Sequence, residues 1–222
     1  MTLKIVKRQR SKKKHLLEAY LYAKQSVINE GYLDEIDWQE SISYADVDES
    51  YFLREAAWVI LSSGMREKVI RNLFPTISHT FFNWQSSEKI IDNQNICRET
   101  ALSIFNSPPK IDAIIYIANS IYRESFLVVY NSVYEMGTSY IMKFPFMGPA
   151  TSLHFAKNLG LSVAKPDRHL KRIAREFGYN SPDKLCSEIA EMLGEKISVV
   201  DLVFWRFATL NTNYLYKLQK RS

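Results

Sequence analysis

The sequence predicts an all-α protein, and three observations carry that prediction. Apolar residues recur at helical spacing, as in Leu16, Leu17, Tyr20, Ala23 and Val27. Glycines and prolines stand where such runs stop, at Gly31, Pro75, Ser107-Pro108-Pro109, Gly137, Gly178 and Gly194. The segments richest in β-branched residues, IDAIIYIANSIY and FLVVYNSVY, lack strict alternation and turn chemistry; they are expected as two helices with a break near Arg123 or Ser125.

Taken in order, Leu16–Ile28 is the first helix, closed by Gly31. Ahead of it, the basic segment Lys4–His15 reads equally as a set of phosphate contacts or as a solvated terminus. The acidic segment Asp34–Glu49 has little periodicity and is expected as a linker. A buried helix follows from Asp48 or Ser50 to Ser62. Further helices are predicted at Glu67–Phe74, Ser87–Ile91, Asn95–Phe105 and Ile111–Glu135. Three more follow at Asp167–Phe177, Ser181–Leu193 and Val199–Leu210, with Ser181/Lys184 and Ser198/Asp201 as capping starts and Trp205 and Phe207 closing a core. The tail YKLQKRS is basic and polar.

Composition bounds the function. The chain has 222 residues, a hydrophobic share of 46% and a net charge of +5, enough for a core and mildly favouring a polyanionic partner. Cys97 and Cys186 stand far apart, which predicts neither a disulfide framework nor a zinc site. No apolar signal core opens the sequence and no run approaches the ~20 residues of a membrane span, so an intracellular protein, cytoplasmic or nucleoid, is expected. There is no internal repeat, phosphate loop of the Walker type or HExxH pair.

The most informative stretch is Ser139–Ile173, SYIMKFPFMGPATSLHFAKNLGLSVAKPDRHLKRI. It reads as a short helix, a tight turn, a second helix, a loop, and an acidic residue opening a third helix. Gly148 is expected to supply backbone freedom in the turn, and Pro149 suits the first helical position because its missing N–H is not needed there. The unpaired amides of such a helix start can bind an anion such as a DNA phosphate.

These residues resemble the helix-hairpin-helix DNA glycosylases of the endonuclease III superfamily. Phe144, Pro145, Phe146, Met147, Gly148, Pro149, Ala150, Thr151 and Ser152 follow the order of the family's Leu-Pro-Gly-Val-Gly-x-Lys-Thr-Ala hairpin. Asp167, Arg168, His169 and Leu170 fall where the family has Asp-Thr-His-Val, with Arg172 as its downstream basic residue. Phe146 stands in place of the hairpin's first glycine, and Ala150 where bifunctional members carry a Schiff-base lysine. LSSGMREKVI is similar to the family's Leu-Ser-x-Gln-Thr-x-Asp segment, with Gly64 in place of the glutamine.

The resemblance implies two helical lobes with a cleft between them: a central lobe of residues 48–162 carrying the hairpin, and a second of 1–47 plus 163–222. It implies a repair enzyme, acting as a monomer, that flips a damaged or mispaired base out of duplex DNA and hydrolyses its N-glycosidic bond. Asp167 would be the catalytic carboxylate, stabilising an oxocarbenium-like sugar and positioning water. Phe146, Met147, Gly148, Pro149, Ala150, Thr151, Arg168 and Arg172 would contact DNA, and a residue among Ser63, Gly64, Met65 and Arg66 would fill the vacated gap. No organic cofactor or side-chain metal site is implied, although relatives often hold potassium or sodium on hairpin carbonyls. Two cysteines cannot hold the iron–sulfur cluster of some relatives.

Alternatives stand beside these roles. Asp167 also reads as a plain N-cap, residues 63–66 as a plain turn, and His169 as a structural hydrogen-bonding group. With Ala150 in the hairpin, strand cleavage is not expected; of the nearby lysines, Lys165 suits a phosphate, Lys157 a solvated face, and Lys143 carries no assigned direction. His154 reads as a surface or packing residue. Tyr116, Tyr122, Tyr130, Tyr134 and Tyr140 are expected mostly in packing, with one or two left for a pocket. A non-catalytic helix-hairpin-helix DNA-binding protein and a helical interaction module are the competing classes.

Overall fold

The computed structural model describes the backbone of residues 2–220 and the side chains of residues 12–220. Helices α1 (Thr2–Asn29) and α2 (Leu33–Ser41) open the chain. The middle holds α3 (Glu49–Ser62), α4 (Glu67–Thr80), α5 (Ser87–Asp92), α6 (Gln94–Ile104), α7 (Pro108–Glu124), α8 (Phe126–Met136), α9 (Thr138–Ile141) and α10 (Pro149–Asn158). The chain ends with α11 (Arg168–Glu176), α12 (Pro182–Leu193), α13 (Ile197–Leu210) and α14 (Tyr214–Gln219). No strand occurs among the described residues. Two compact units result: a terminal unit of Met1–Ile42 with Gly160–Ser222, and a middle unit of Ser43–Leu159.

In the terminal unit, α13 is the central helix and packs against α1, α2, α11 and α12. Its Val199, Val203, Phe204 and Phe207 are fully buried with Leu16 and Tyr20 of α1 and Leu170 and Ile173 of α11. Trp205, beside them, is half-buried and lies 4.6 Å from the Arg206 guanidinium. Arg206 pairs with both carboxylate oxygens of Glu35 at 2.7 Å, fixing α2 on α13. The segment expected as a linker is therefore partly α2, whose Ile36 and Gln39 are buried; at nine residues it is too short to display a clear period. Helix α1 starts well before Leu16, and the side chains of residues 1–11, which include Lys4 and Lys7, lie outside those described. Of the described basic residues there, Lys12 donates to the Gly178 carbonyl at 3.3 Å and Lys13 pairs with Glu188 at 2.8 Å. Ser198 and Asp201 do not cap α13: both are about 1% exposed inside it, and Lys196 precedes it without a side-chain cap. The tail contributes α14, which buries Tyr214 and Leu218.

In the middle unit, α3 packs against α4, α7 and α10. Asp48 caps α3 by accepting from Tyr51 N at 2.7 Å. Helix α4 runs through Pro75 because its buried Ile70, Phe74 and Ile77 continue one apolar stripe past the proline, which is itself exposed. Ser125 separates α7 from α8 at φ 73°. Phe82, Asn83 and Trp84 make a left-handed turn with φ of 54°, 52° and 63°. Burial of Trp84 and its Nε1 bond to Ser78 Oγ at 2.9 Å hold that turn in place.

Candidate functional site

After α9 the chain turns through Met142–Gly148 into α10. Amides of Met142, Lys143 and Phe144 donate back to carbonyls of Thr138, Tyr140 and Ile141 at 2.9–3.0 Å, and buried Phe144 and Met147 anchor the bend. Phe146 lies at φ 63° and is 40% exposed. Gly148 has φ −69°, and a Cβ there would meet only Thr151 Oγ1 at 3.8 Å, an ordinary contact. The backbone freedom expected of Gly148 is therefore required two residues earlier, at Phe146, where a phenylalanine bears about 1–2 kcal/mol of left-handed strain. Thr151 Oγ1 locks the bend by donating to the Phe146 carbonyl at 2.7 Å, with the Gly148 carbonyl 3.1 Å away.

Gly148, Pro149 and Ala150 are exposed, and no side chain caps the start of α10. Met147, at 1% exposure, can offer a ligand only its main chain. The far end of α10 is tied to α3 through Phe155 against Phe52 at 4.9 Å, Asn158 Nδ2 on Glu55 Oε2 at 2.8 Å, and Tyr51 OH on the Asn158 carbonyl at 3.0 Å. Burial pushes the Glu55 carboxyl above its usual range, against the opposing pull of Arg54 and Asn158.

The turn after α3 also belongs to the middle unit. Ser63 is half-buried, Gly64 sits at φ 71°, and Met65 and Arg66 are exposed. Lys110 holds its base: Nζ donates to the carbonyls of Leu61 and Ser63, each at 2.7 Å. Burial lowers the Lys110 pKa, but the carbonyls at the end of α3 favour its cation. Lys110 lies in the register of buried Ile114, Ile117 and Ile121, a sequence signal that marks it as enclosed.

Asp167 belongs to the terminal unit. It is half-buried with extended backbone, and its Oδ1 accepts from the amides of His169 and Leu170, both at 2.8 Å. No bond from the described residues reaches Oδ2, so one oxygen fixes the carboxylate and the other remains available. Helix α11 is sharply two-sided: Leu170, Ile173 and Ala174 are buried, while Arg168, Lys171, Arg172 and Arg175 are exposed one and two turns apart. Burial lowers the His169 pKa, and Arg168 Nε lies 3.3 Å from its Nε2. The His169 Nδ1 and the hydroxyl of Tyr214, whose rings meet edge-on at 5.3 Å, are both buried without partners among the described residues.

The loop before Asp167 has an anchor that the capping assignment missed. Asp201 Oδ1 accepts from Lys165 N at 2.9 Å, and the Lys165 carbonyl accepts from Asp167 N at 2.8 Å. An aspartate inside the apolar run VVDLVFW was the available signal.

The remaining candidates divide. Lys157 is 6% exposed and not on a solvated face, because α10 turns it inward with Phe155 and Ala156. Lys143 is exposed over the Tyr140 ring, and His154 is half-buried. Of the five tyrosines expected mostly in packing, Tyr140 is buried and Tyr130 stacks on Tyr44, whereas Tyr116, Tyr122 and Tyr134 are exposed. Both cysteines are buried and neither forms a disulfide. Among the described residues no cluster of three His, Cys, Asp or Glu side chains could hold a metal ion, and no helix is long and apolar enough to cross a membrane. Comparison with protein-family models, curated proteins and solved structures gives no match.

Proposed function

We propose that this protein is a monofunctional DNA glycosylase of the helix-hairpin-helix kind, excising a damaged or mispaired base flipped out of duplex DNA. The observation that carries this reading is the state of Asp167: Oδ1 is held by two amides, Oδ2 is available, and the helix it opens is basic on its outer face. A carboxylate so held, beside a helix start, can stabilise the positive sugar formed as the base departs. It can also orient the attacking water.

In this reading each helical unit brings its own contacts to DNA. The start of α10 at exposed Gly148, Pro149 and Ala150 and half-buried Thr151, with the main chain of Phe146 and Met147, receives a phosphate. Arg168 and Arg172 contact the backbone. The turn at Ser63, Gly64, Met65 and Arg66 enters the gap left by the flipped nucleotide, and exposed Met65 is its apolar tip. A potassium or sodium ion on hairpin carbonyls fits the same reading, as does a monomer acting where DNA lies. Ala150 offers no amine, so water is the nucleophile and an abasic site the product.

The test is a panel of duplexes bearing uracil, 8-oxoguanine, alkylated purines or mismatches, treated with protein and then alkali. One lesion is cleaved after alkali and not before, and borohydride traps no covalent adduct. Trapping would contradict the monofunctional assignment; binding with no cleavage of any lesion would contradict the catalytic one. A non-catalytic helix-hairpin-helix DNA-binding protein is the second reading, favoured by the cap bonds that alone account for Asp167 Oδ1.

A further inference from the structure

We infer that Asp201 is the positioning residue for Asp167, acting through the main chain of Lys165. The inference rests on the glycosylase reading, because positioning matters only if Asp167 must meet a sugar.

Asp201 is 1% exposed in the middle of α13, flanked by Val200, Leu202 and Phe204. A carboxylate in that setting is costly to enclose unless its hydrogen bonds are made. One of them goes outward, to a loop. Asp201 Oδ1 takes the Lys165 amide at 2.9 Å, and the Lys165 carbonyl takes the Asp167 amide at 2.8 Å. Asp167 then takes the amides of His169 and Leu170 at 2.8 Å. Two hydrogen bonds through Lys165 thus run from α13 to the main chain of Asp167, and two more set its carboxylate on the start of α11.

The Asp201 bond gives the loop from Gly160 a directional tie to α13, which the burial of Ala164 does not supply. The cap bonds turn Asp167 relative to α11, whereas the Asp201 bond fixes where the segment entering α11 lies on α13. A shift of ~1 Å in a reacting group can lower a rate about 100-fold.

The test measures single-turnover excision and duplex affinity of the full chain, together with amide hydrogen exchange of the free protein. Asp201→Asn keeps an acceptor for Lys165 N, and excision stays within about threefold of the unsubstituted protein. Asp201→Leu removes the acceptor while matching the apolar surroundings; excision falls about 100-fold with affinity within about threefold. In that variant the Lys165 and Asp167 amides exchange faster while those of α13 stay protected. Should Asp201→Leu fail to fold, Lys165→Pro removes the same hydrogen bond from the donor side, leaves α13 intact, and gives the same loss of rate. A folded Asp201→Leu or Lys165→Pro that excises at the unsubstituted rate overturns this inference alone. An unsubstituted protein that excises nothing from any duplex overturns the glycosylase reading and this inference with it.

Discussion

Single residues here do two jobs that substitution can separate. Asparagine caps a helix about as well as aspartate, so Asp167→Asn keeps the bonds to His169 and Leu170 and leaves the melting temperature nearly unchanged, whereas Asp167→Ala loses about 1 kcal/mol. Phe146 supplies a second separation. Alanine and glycine both remove its ring, but only alanine keeps the left-handed strain, so Phe146→Gly is more stable than Phe146→Ala by about 1 kcal/mol in denaturant unfolding. Lys110→Met leaves the carbonyls of Leu61 and Ser63 without their donor and costs about 1–3 kcal/mol in the same assay. The cap at Asp167 was legible because an acidic residue after a proline and before a two-sided helix is a local signal. The φ of Phe146 was not, since a phenylalanine takes that conformation only when Phe144, Met147 and Thr151 impose it. Lys110 and Asp201 could have been found: each is a charge on the buried register of a helix.

At the level of elements, the positions of most helices were legible, and the misses have physical causes. Pro75 was read as a stop because it removes a backbone donor, yet the buried stripe on both sides of it outweighs that loss. Restoring the donor with Pro75→Ala, at an exposed site, therefore stabilises the protein by about 1–3 kcal/mol, visible as a higher denaturant midpoint with unchanged slope. Helices α2 and α14 are too short to display a period, and partners elsewhere in the chain stabilise them, Arg206 for α2 and the core of the terminal unit for α14. The junction of α3 and α10 carries a pH dependence. Glu55 is buried and its folded pKa lies above its unfolded value, so its contribution is present below the unfolded value and is lost as pH rises through the folded one. Glu55→Gln keeps a partner for Asn158 and removes that decline; an unchanged slope of stability against pH would show that the carboxyl does not titrate there.

For the whole molecule, the basic balance was plain in the composition, and the structure concentrates part of it on the outer face of α11. With about four phosphates neutralised, affinity for undamaged duplex falls about 100-fold between ~50 and ~200 mM salt. Replacing Arg168 and Arg172 by alanine reduces that salt slope without selecting among sequences. The turn before α10 and the cap before α11 were legible because each is local to one stretch of chain, whereas any contacts that would select a base lie scattered through the sequence. The account rests most heavily on Asp167, and the most direct measurement is single-turnover excision of the responsive lesion by the unsubstituted protein and by Asp167→Asn at equal fractional binding. The account predicts that Asp167→Asn binds the duplex and melts as before while excision falls about 100-fold or more. Excision at an undiminished rate would contradict it.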